Sequence, residues 1–266
     1  MEFYLPFFKY RPVKGFELIK SWRVIDPEGW IRTGDLILFS GSSFISSGIK
    51  FFTTSRWNHC GAACWCELTD IHGDKRIDLF CFELGSQAFV DLITKRPMCL
   101  GVRLARVADI TSMYDIVAVR KLNRQNKFST FDGHGWAAKF EAFAMRWSQT
   151  PYFDTSSVIR TYLFRSESPK GGSTCAHIMA KMLDEMGVYP LDFDAAQVYP
   201  DAFTAAGMAF PAEIFDGPER VVYRDVTKIN TRLIFLVVVL IILIIIFFAI
   251  YVAVGRKSKK NSGHSK

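Results

Sequence analysis

The sequence lacks the residue patterns that mark zinc-binding and nucleic-acid-binding proteins. It contains no Cys-x-x-Cys pair and no finger spacing, and no basic stripe is interleaved with aromatic residues. Its formal net charge of +7 is moderate and part of it lies in the C-terminal tail, so we expect no nucleic-acid partner. No internal repeat or low-complexity segment precedes that tail, and hydrophobic residues make up 50% of the chain, which argues against general disorder.

Features of exported proteins are also missing. The first ten residues include Glu2, Pro6 and Lys9, which interrupt any signal-like apolar run. No Asn-x-Ser/Thr acceptor for N-glycosylation occurs. The 6 cysteines allow disulfides by number, but a chain of 266 residues buries a sufficient core without them. We therefore expect a reducing compartment.

One long hydrophobic run stands near the C-terminus. Leu233 to Val254 is uncharged, and as a helix rising about 1.5 Å per residue it extends roughly 33 Å, the thickness of a bilayer core. A cluster of four basic residues comes directly after it: Arg256, Lys257, Lys259 and Lys260. They suit anionic headgroups and favour the cytoplasmic side, although basic residues also precede the run. We predict a single-pass, tail-anchored protein of a lipid bilayer with its main domain in the cytoplasm; a virion membrane is the alternative.

The chain ahead of this run has a mixed pattern. Four segments have the composition of strands and are separated by turn-like clusters: residues 35–39, 59–66, 77–84 and 114–120. Four aromatic residues recur at helical spacing: Trp136, Phe140, Phe143 and Trp147. They predict an amphipathic helix over residues 135–148 with its aromatics in the core. The predicted fold is α+β, a small antiparallel barrel or curled sheet with packed helices.

Cys175 is the candidate nucleophile. Ser173 or Thr174 suits the N-cap of a second helix, which Gly187 ends, so that Cys175 lies in the first helical turn. A helix N-terminus stabilises a thiolate, and only the thiolate is a useful nucleophile. The alternative for Cys175 is a small buried core residue.

His59 and Glu83 are the candidate partners of this thiol. A histidine at the start of a strand can face a helix N-terminus and act as a base, while a carboxylate orients its other ring nitrogen. Glu83 is a carboxylate in an otherwise apolar strand, which is costly unless it has a partner. The alternatives are a structural histidine and a surface glutamate on an edge strand; His72 is a second candidate for the third position.

These motifs together resemble a known family. They are the Gly-Asp strand of residues 34–39, the His-bearing segment 55–59, Glu83, the Tyr-containing segment 151–154, and Cys175 at a helix start. The combination resembles the circularly permuted papain-like cysteine hydrolases of the YiiX/YebB-like branch of the NlpC superfamily, to which lecithin retinol acyltransferase is related. The resemblance covers roughly residues 34–203 and is weaker after Cys175, where the family often has Ser-Glu and this chain has Ala176 and His177.

The resemblance implies a role for each site residue. Cys175 is expected to be the nucleophile, His59 the general base and Glu83 the group that orients His59. The oxyanion is expected to bind the backbone N–H of Cys175 and a second donor, for which Tyr152 is the candidate. The residues at 155–172 form an insert that is expected to cover the site. No cofactor is implied, and zinc at the strand cysteines is disfavoured by their spacing.

The sequence therefore predicts a membrane-anchored cysteine hydrolase or acyltransferase. It is expected to act through a thioester on amide or ester bonds of a peptide, lipid or lipid-modified substrate. The alternative is a catalytically inactive membrane or virion structural protein that retains the fold. The predicted organisation is an N-terminal extension (1–33), a permuted papain-like hydrolase domain (34–222), a juxtamembrane linker (223–232), the transmembrane helix (233–254) and a basic tail (255–266).

Overall fold

The computed structural model describes a mixed α+β domain and a short piece near the C-terminus. The described residues are 30–52, 55–69, 75–85, 89–92, 97–98, 101–129, 136–148, 150, 173–195, 198–225 and 237–242. The strands are β1 (Leu36–Ser40), β2 (His59–Thr69), β3 (Lys75–Gly85), β4 (Phe89–Val90), β5 (Pro97–Met98), β6 (Gly101–Arg106), β7 (Ile116–Arg120) and β8 (Arg220–Arg224). The α-helices are α1 (Phe44–Phe52), α2 (Val107–Thr111), α3 (Trp136–Trp147) and α4 (Cys175–Glu185), and short 3-10 helices span Pro200–Phe203 and Ala212–Ile214.

Six of these strands form one antiparallel sheet in the order β6-β3-β2-β1-β7-β8. The strands β4 and β5 pair separately. The α+β prediction is confirmed, and β1, β2, β3 and β7 lie where strands were predicted. The closed barrel, one of the two predicted forms, is wrong for the described strands because their sheet is open, with β6 and β8 as its edges.

Alternation along β2 separates the core into two clusters, one on each face of the sheet. The first cluster holds the β2 side chains of Cys60, Ala62, Cys64 and Cys66 together with buried residues of α3 and α4. The second holds Ala63 and Trp65 with apolar residues of β1, α2 and β7. Successive strand side chains point to opposite faces, so a strand that is buried on both sides is apolar at nearly every position.

The helix α4 begins as its sequence predicts. Thr174 has extended backbone and its side-chain oxygen accepts a hydrogen bond from the N–H of His177 at 3.2 Å, which makes it the N-cap. Gly187 follows the helix with φ 69°, the left-handed conformation that glycine adopts without strain. The apolar face of α4 is buried in the first core cluster. Cys175 is thereby fixed as the first residue of a well-capped helix.

Asp35 fixes the start of β1. Its carboxylate accepts hydrogen bonds from the backbone N–H groups of Arg32, at 2.8 Å, and Leu122, at 3.1 Å. The first of these contacts closes the turn into β1 and the second joins β1 to the chain after β7. Burial raises the pKa of Asp35, although these hydrogen bonds oppose the shift. The Gly-Asp motif therefore has a structural role in this domain.

Several predicted features lie outside the described residues. They are Tyr152, His72 and the insert 155–172, together with all of the extension before residue 30. Within the described part of the chain, no helix is long and apolar enough to cross a membrane. Of the predicted span, residues 237–242 are described and helical, and Val237, Leu240, Ile241 and Ile242 have exposed side chains.

Candidate active site

The start of β2 is held in place by the residues that precede His59. The Asn58 side-chain oxygen accepts a hydrogen bond from the N–H of Gly41 at 2.6 Å, and its amide group donates to the Ser46 hydroxyl at 3.2 Å. Before it, the Ser55 hydroxyl bonds to the backbone N–H and carbonyl of Trp57, whose side chain is buried. These contacts join the start of β2 to the region around α1 and fix where the His59 side chain leaves the strand.

Two aromatic rings pack against the His59 imidazole. The Tyr114 ring is stacked on it, with ring centroids 5.7 Å apart and an angle of 3° between the planes. The Phe39 ring is tilted against it at 5.4 Å. This aromatic contact restricts rotation of the imidazole and removes it from water.

Glu83 lies beside His59 on the neighbouring strand. The register pairs Glu83 with Gly61, two residues after His59 and on the same face. Glu83 Oε2 forms a short hydrogen bond with His59 Nε2. The close approach of the two strands requires glycine at residue 61. A Cβ there would lie 2.8 Å from the Phe82 carbonyl oxygen and 3.1 Å from Glu83 Cβ.

Arg103 holds the other oxygen of the same carboxylate. It lies opposite Glu83 on β6, and its Nε and Nη2 both donate to Glu83 Oε1, at 2.8 and 2.7 Å. Both side chains are 1% exposed. Burial alone would raise the pKa of Glu83, but the charges of His59 and Arg103 outweigh it and lower the pKa to about 2. Glu83 is therefore a carboxylate at neutral pH.

Cys175 lies near His59 at the start of β2. His59 and Cys175 are the first residues of their elements, and the two side chains are close enough to shift each other's pKa, although Cys175 belongs to the cluster on the opposite face of the sheet. Since Glu83 takes Nε2 of the imidazole, Nδ1 is the nitrogen left for the sulfur.

The pKa values of the two groups shift in opposite directions. Burial lowers the pKa of His59, but the charges of Glu83 and Cys175 outweigh it and raise the pKa to about 10. The pKa of Cys175 is lowered well below its ordinary value, first by the neighbouring Cys60 thiol and then by the charge of His59, against the effect of burial. These shifts favour the pair of thiolate and imidazolium over the neutral pair.

Four buried groups therefore alternate in charge from the start of α4 to the edge strand β6. They are the Cys175 thiolate, the His59 imidazolium, the Glu83 carboxylate and the Arg103 guanidinium. Each charge has an opposite neighbour, which is the condition under which charges persist in a protein interior. Chemically, such an arrangement could provide a thiolate nucleophile with an oriented proton donor beside it.

The structure also brings residues to the site that the sequence analysis did not identify: Arg103, Tyr114 and Cys60. Arg103 could have been found, because an apolar strand that carries a buried glutamate needs a cation on a neighbouring strand. Tyr114 gave no such signal, since its contact depends on the packing of β1 against β7. Among the described residues, no group of three or more His, Cys, Asp or Glu side chains is arranged to hold a metal ion.

Comparison with known proteins finds similarity to solved structures. No protein-family model matches this chain, and no curated protein matches it. Five solved chains match it in structure. One of them is the crystal structure of the metalloprotein yiiX from Escherichia coli O157:H7, with a TM-score of 0.34 and 14% sequence identity. That alignment covers 73% of this chain and 98% of the yiiX chain.

Proposed function

We propose that this protein is a cysteine hydrolase or acyltransferase that acts through a thioester on Cys175. The observation that carries the proposal is the buried series of Cys175, His59, Glu83 and Arg103, in which the thiol pKa is lowered and the imidazole pKa is raised. Structural cysteines in apolar surroundings show the opposite shift, as burial raises the pKa of Cys81 in the same sheet.

The proposed reaction begins with attack of the Cys175 thiolate on a carbonyl carbon. The carbonyl oxygen becomes an oxyanion, and His59 gives its proton to the leaving amine or alkoxide as the carbon–heteroatom bond breaks. A thioester and a neutral His59 remain. His59 then removes a proton from water or another acceptor, which attacks the thioester and expels the thiolate, and the proton on His59 restores the ion pair.

The start of α4 is the natural place for the oxyanion. The first N–H groups of a helix have no acceptor within the helix. Of these, the N–H of His177 donates to the Thr174 side chain. The Cys175 N–H is therefore suited to bind the developing charge, aided by the helix dipole. Tyr152 is proposed as a second donor on the strength of the family resemblance.

The proposal also covers the family of the protein and its attachment to a membrane. We place the chain with the permuted papain-like cysteine hydrolases because its Gly-Asp strand, His59, Glu83 and Cys175 occur in the order of that family. We further propose that Leu233 to Val254 anchors it in a bilayer with its domain in the cytoplasm. The exposed apolar helix at residues 237–242 supports the anchor, which makes a lipid or lipid-modified substrate attractive.

A generic activated ester tests this function without knowledge of the substrate. The full-length protein is mixed with p-nitrophenyl acetate, quenched at short times and mapped by mass spectrometry. We expect an acetyl group on Cys175 that is later lost, and release of p-nitrophenol beyond one equivalent. Cys175→Ala and His59→Ala are expected to abolish both signals while retaining the fold.

The experiment also separates the proposal from the alternative of an inactive membrane or virion component. A structural protein that only retains the fold would give no acetyl thioester, or one that forms equally on other cysteines. Equal turnover by wild type and Cys175→Ala would also show that the reaction does not use this site, and the proposed function would be rejected.

A further inference from the structure

A buried lysine binds the β1–α1 link, which comprises residues 40–43. Lys50 lies in the last turn of α1 and is 7% exposed, although a lysine is rarely buried. Its Nζ donates a hydrogen bond to the carbonyl oxygen of Gly41 at 2.5 Å and a longer one to the Ser40 hydroxyl at 3.4 Å. The side chain therefore turns back from the end of the helix towards the residues that precede it.

Gly41 is bonded to side chains through both of its backbone groups. Its carbonyl oxygen accepts from Lys50, and its N–H donates to the side-chain oxygen of Asn58 at 2.6 Å. The Asn58 N–H donates in turn to the Phe39 carbonyl oxygen at 3.1 Å. Because His59 is the next residue, the position of the β1–α1 link sets where the imidazole begins.

The same link supports the ring that stacks on His59. A Cβ at residue 41 would lie 3.2 Å from Tyr114 Cδ1, so the glycine backbone packs directly against the Tyr114 ring. Asp115, the residue after this tyrosine, donates its N–H to the Ser40 carbonyl oxygen at 2.8 Å. The β1–α1 link thus contacts both the strand that carries His59 and the segment that carries its stacking partner.

We propose that Lys50 is a positioning residue that holds the β1–α1 link in place and thereby keeps the Tyr114 ring against the His59 imidazole. The inference deepens the proposed function and rests on it, because His59 must lie in a fixed place to exchange its proton with water during thioester hydrolysis. Burial of a lysine costs free energy, which its hydrogen bonds offset in part. An apolar side chain would avoid that cost but would remove this donor from the Gly41 carbonyl oxygen.

The test compares two variants of the full-length protein with one control. Lys50→Met removes the ammonium donor and keeps a long side chain. Gly41→Ala changes no charge, but its Cβ would press on the Tyr114 ring. A shared effect of the two variants is therefore an effect of position and not of charge. Arg106→Met is the matched control, because Arg106 is also a cation that is 7% exposed and its bond to Asp78 joins β6 to β3, away from the β1–α1 link.

Two measurements report the position of the imidazole separately from the stability of the fold. The first is the resonances of the His59 ring protons in isotope-labelled protein at neutral pH, which sense the ring current of the stacked tyrosine. Tyr114→Leu gives their positions without that ring. The second is the rate at which the acetyl group is lost from Cys175 after reaction with p-nitrophenyl acetate, since His59 is the proposed base for that step.

We expect Lys50→Met and Gly41→Ala to move the His59 resonances towards those of Tyr114→Leu. Both are also expected to slow the loss of the acetyl group about tenfold, a part of what a general base contributes. Arg106→Met is expected to leave both measurements unchanged. Thermal unfolding checks each fold, and if Lys50→Met does not fold, the shorter and uncharged side chain of Lys50→Gln takes its place.

Unchanged His59 resonances, or an unchanged rate of acetyl loss, in the folded lysine variant would overturn the proposal. Equal changes in Arg106→Met would also overturn it, because a general loss of stability would then explain them. Failure of the proposed function is read separately from the wild type, in which no acetyl group would form on Cys175. The His59 resonances would still show whether the lysine holds the two rings together.

Discussion

Arg103 directs both Nε and Nη2 to one oxygen of Glu83, Oε1, at 2.8 and 2.7 Å, and this leaves Oε2 to His59. The division of the carboxylate between its two partners fixes the plane of the glutamate, and through it the imidazole. It also keeps Glu83 ionised in an interior where burial favours the neutral acid. The orientation of His59 thus depends on a guanidinium that lies two strands away in the sheet order, on β6.

Loss of the Arg103 cation is expected to lower both stability and reactivity. Arg103→Met leaves the buried Glu83 with one charged partner, and breaking a buried pair in this way costs about 3–5 kcal/mol. The His59 imidazolium then has a less fully ionised neighbour, so alkylation of Cys175 near neutral pH is expected to slow several-fold. Chemical denaturation and the alkylation rate measure the two effects.

Arg106→Met is the matched control for this prediction. Arg106 and Asp78 form another buried ion pair between β6 and β3, with Nε and Oδ2 2.7 Å apart. Its loss is expected to destabilise the fold similarly but to leave the Cys175 rate unchanged. The double variant Arg103→Met, Glu83→Gln is expected to be more stable than the sum of its parts predicts. An equal loss of Cys175 reactivity in Arg106→Met would contradict a specific role for Arg103.

Gly85→Ala tests the same contact without removal of any functional group. A Cβ at residue 85 would overlap the Arg103 Nη2 atom and lie 3.1 Å from Glu83 Oε1, so the guanidinium has to move. We expect a destabilisation of about 1–3 kcal/mol and slower alkylation of Cys175. If Gly85→Ala lowers the melting temperature but leaves the alkylation rate unchanged, the exact position of the guanidinium does not affect the reactivity of Cys175.

The His59 ring is expected to titrate far above an ordinary histidine. Its pKa is raised to about 10, so the imidazolium is present throughout the neutral range and is lost as the pH rises through that value. Nuclear magnetic resonance of isotope-labelled histidine measures this directly. Cys175→Ala and Glu83→Gln are each expected to lower the midpoint, because each removes a negative neighbour.

His177 is an internal control in that titration. It lies on α4, two residues from Cys175, and burial lowers its pKa. The two rings are therefore expected to move in opposite directions from the ordinary value of 6.5. A His59 midpoint close to that value would show that no ion pair forms with Cys175.

The sequence predicted the elements whose residues alternate or repeat strongly. The strands β1, β2, β3 and β7 and the helices α3 and α4 lie where predicted, because burial on one or both sides imposes a regular apolar pattern. The helix α1 was missed, since its start follows a Gly-Ser-Ser cluster that is typical of a turn. The strand β6 was missed because Arg103 interrupts its apolar residues.

The site was only partly visible in the sequence for a related reason. Residue types point to a nucleophile and a base, but they do not give the strand order that brings β6 beside β3. The sequence did not single out Cys60, which is a fully buried residue of β2. Its position near Cys175 depends on the packing of α4 against the start of β2, which no local pattern reports.

Removal of the predicted anchor is expected to leave the domain folded. The last described strand of the sheet, β8, ends at Arg224, and deletion from Thr231 onward leaves every described strand and the helix α4 intact. We expect cooperative unfolding and unchanged Cys175 alkylation in the truncated protein, but loss of flotation with lipid vesicles. Loss of cooperative unfolding, or vesicle flotation equal to that of the full chain, would contradict the division into domain and anchor.

The pH dependence of Cys175 alkylation, compared between wild type and His59→Ala, tests the central claim most directly. Because the pKa of Cys175 is lowered, its thiolate is present at neutral pH and is lost only as the pH falls through the lowered value. The account predicts a wild-type midpoint well below 9.0, the ordinary value, and an upward shift when the imidazolium is removed. A wild-type midpoint at or above that value, or one that does not respond to His59→Ala, would contradict it.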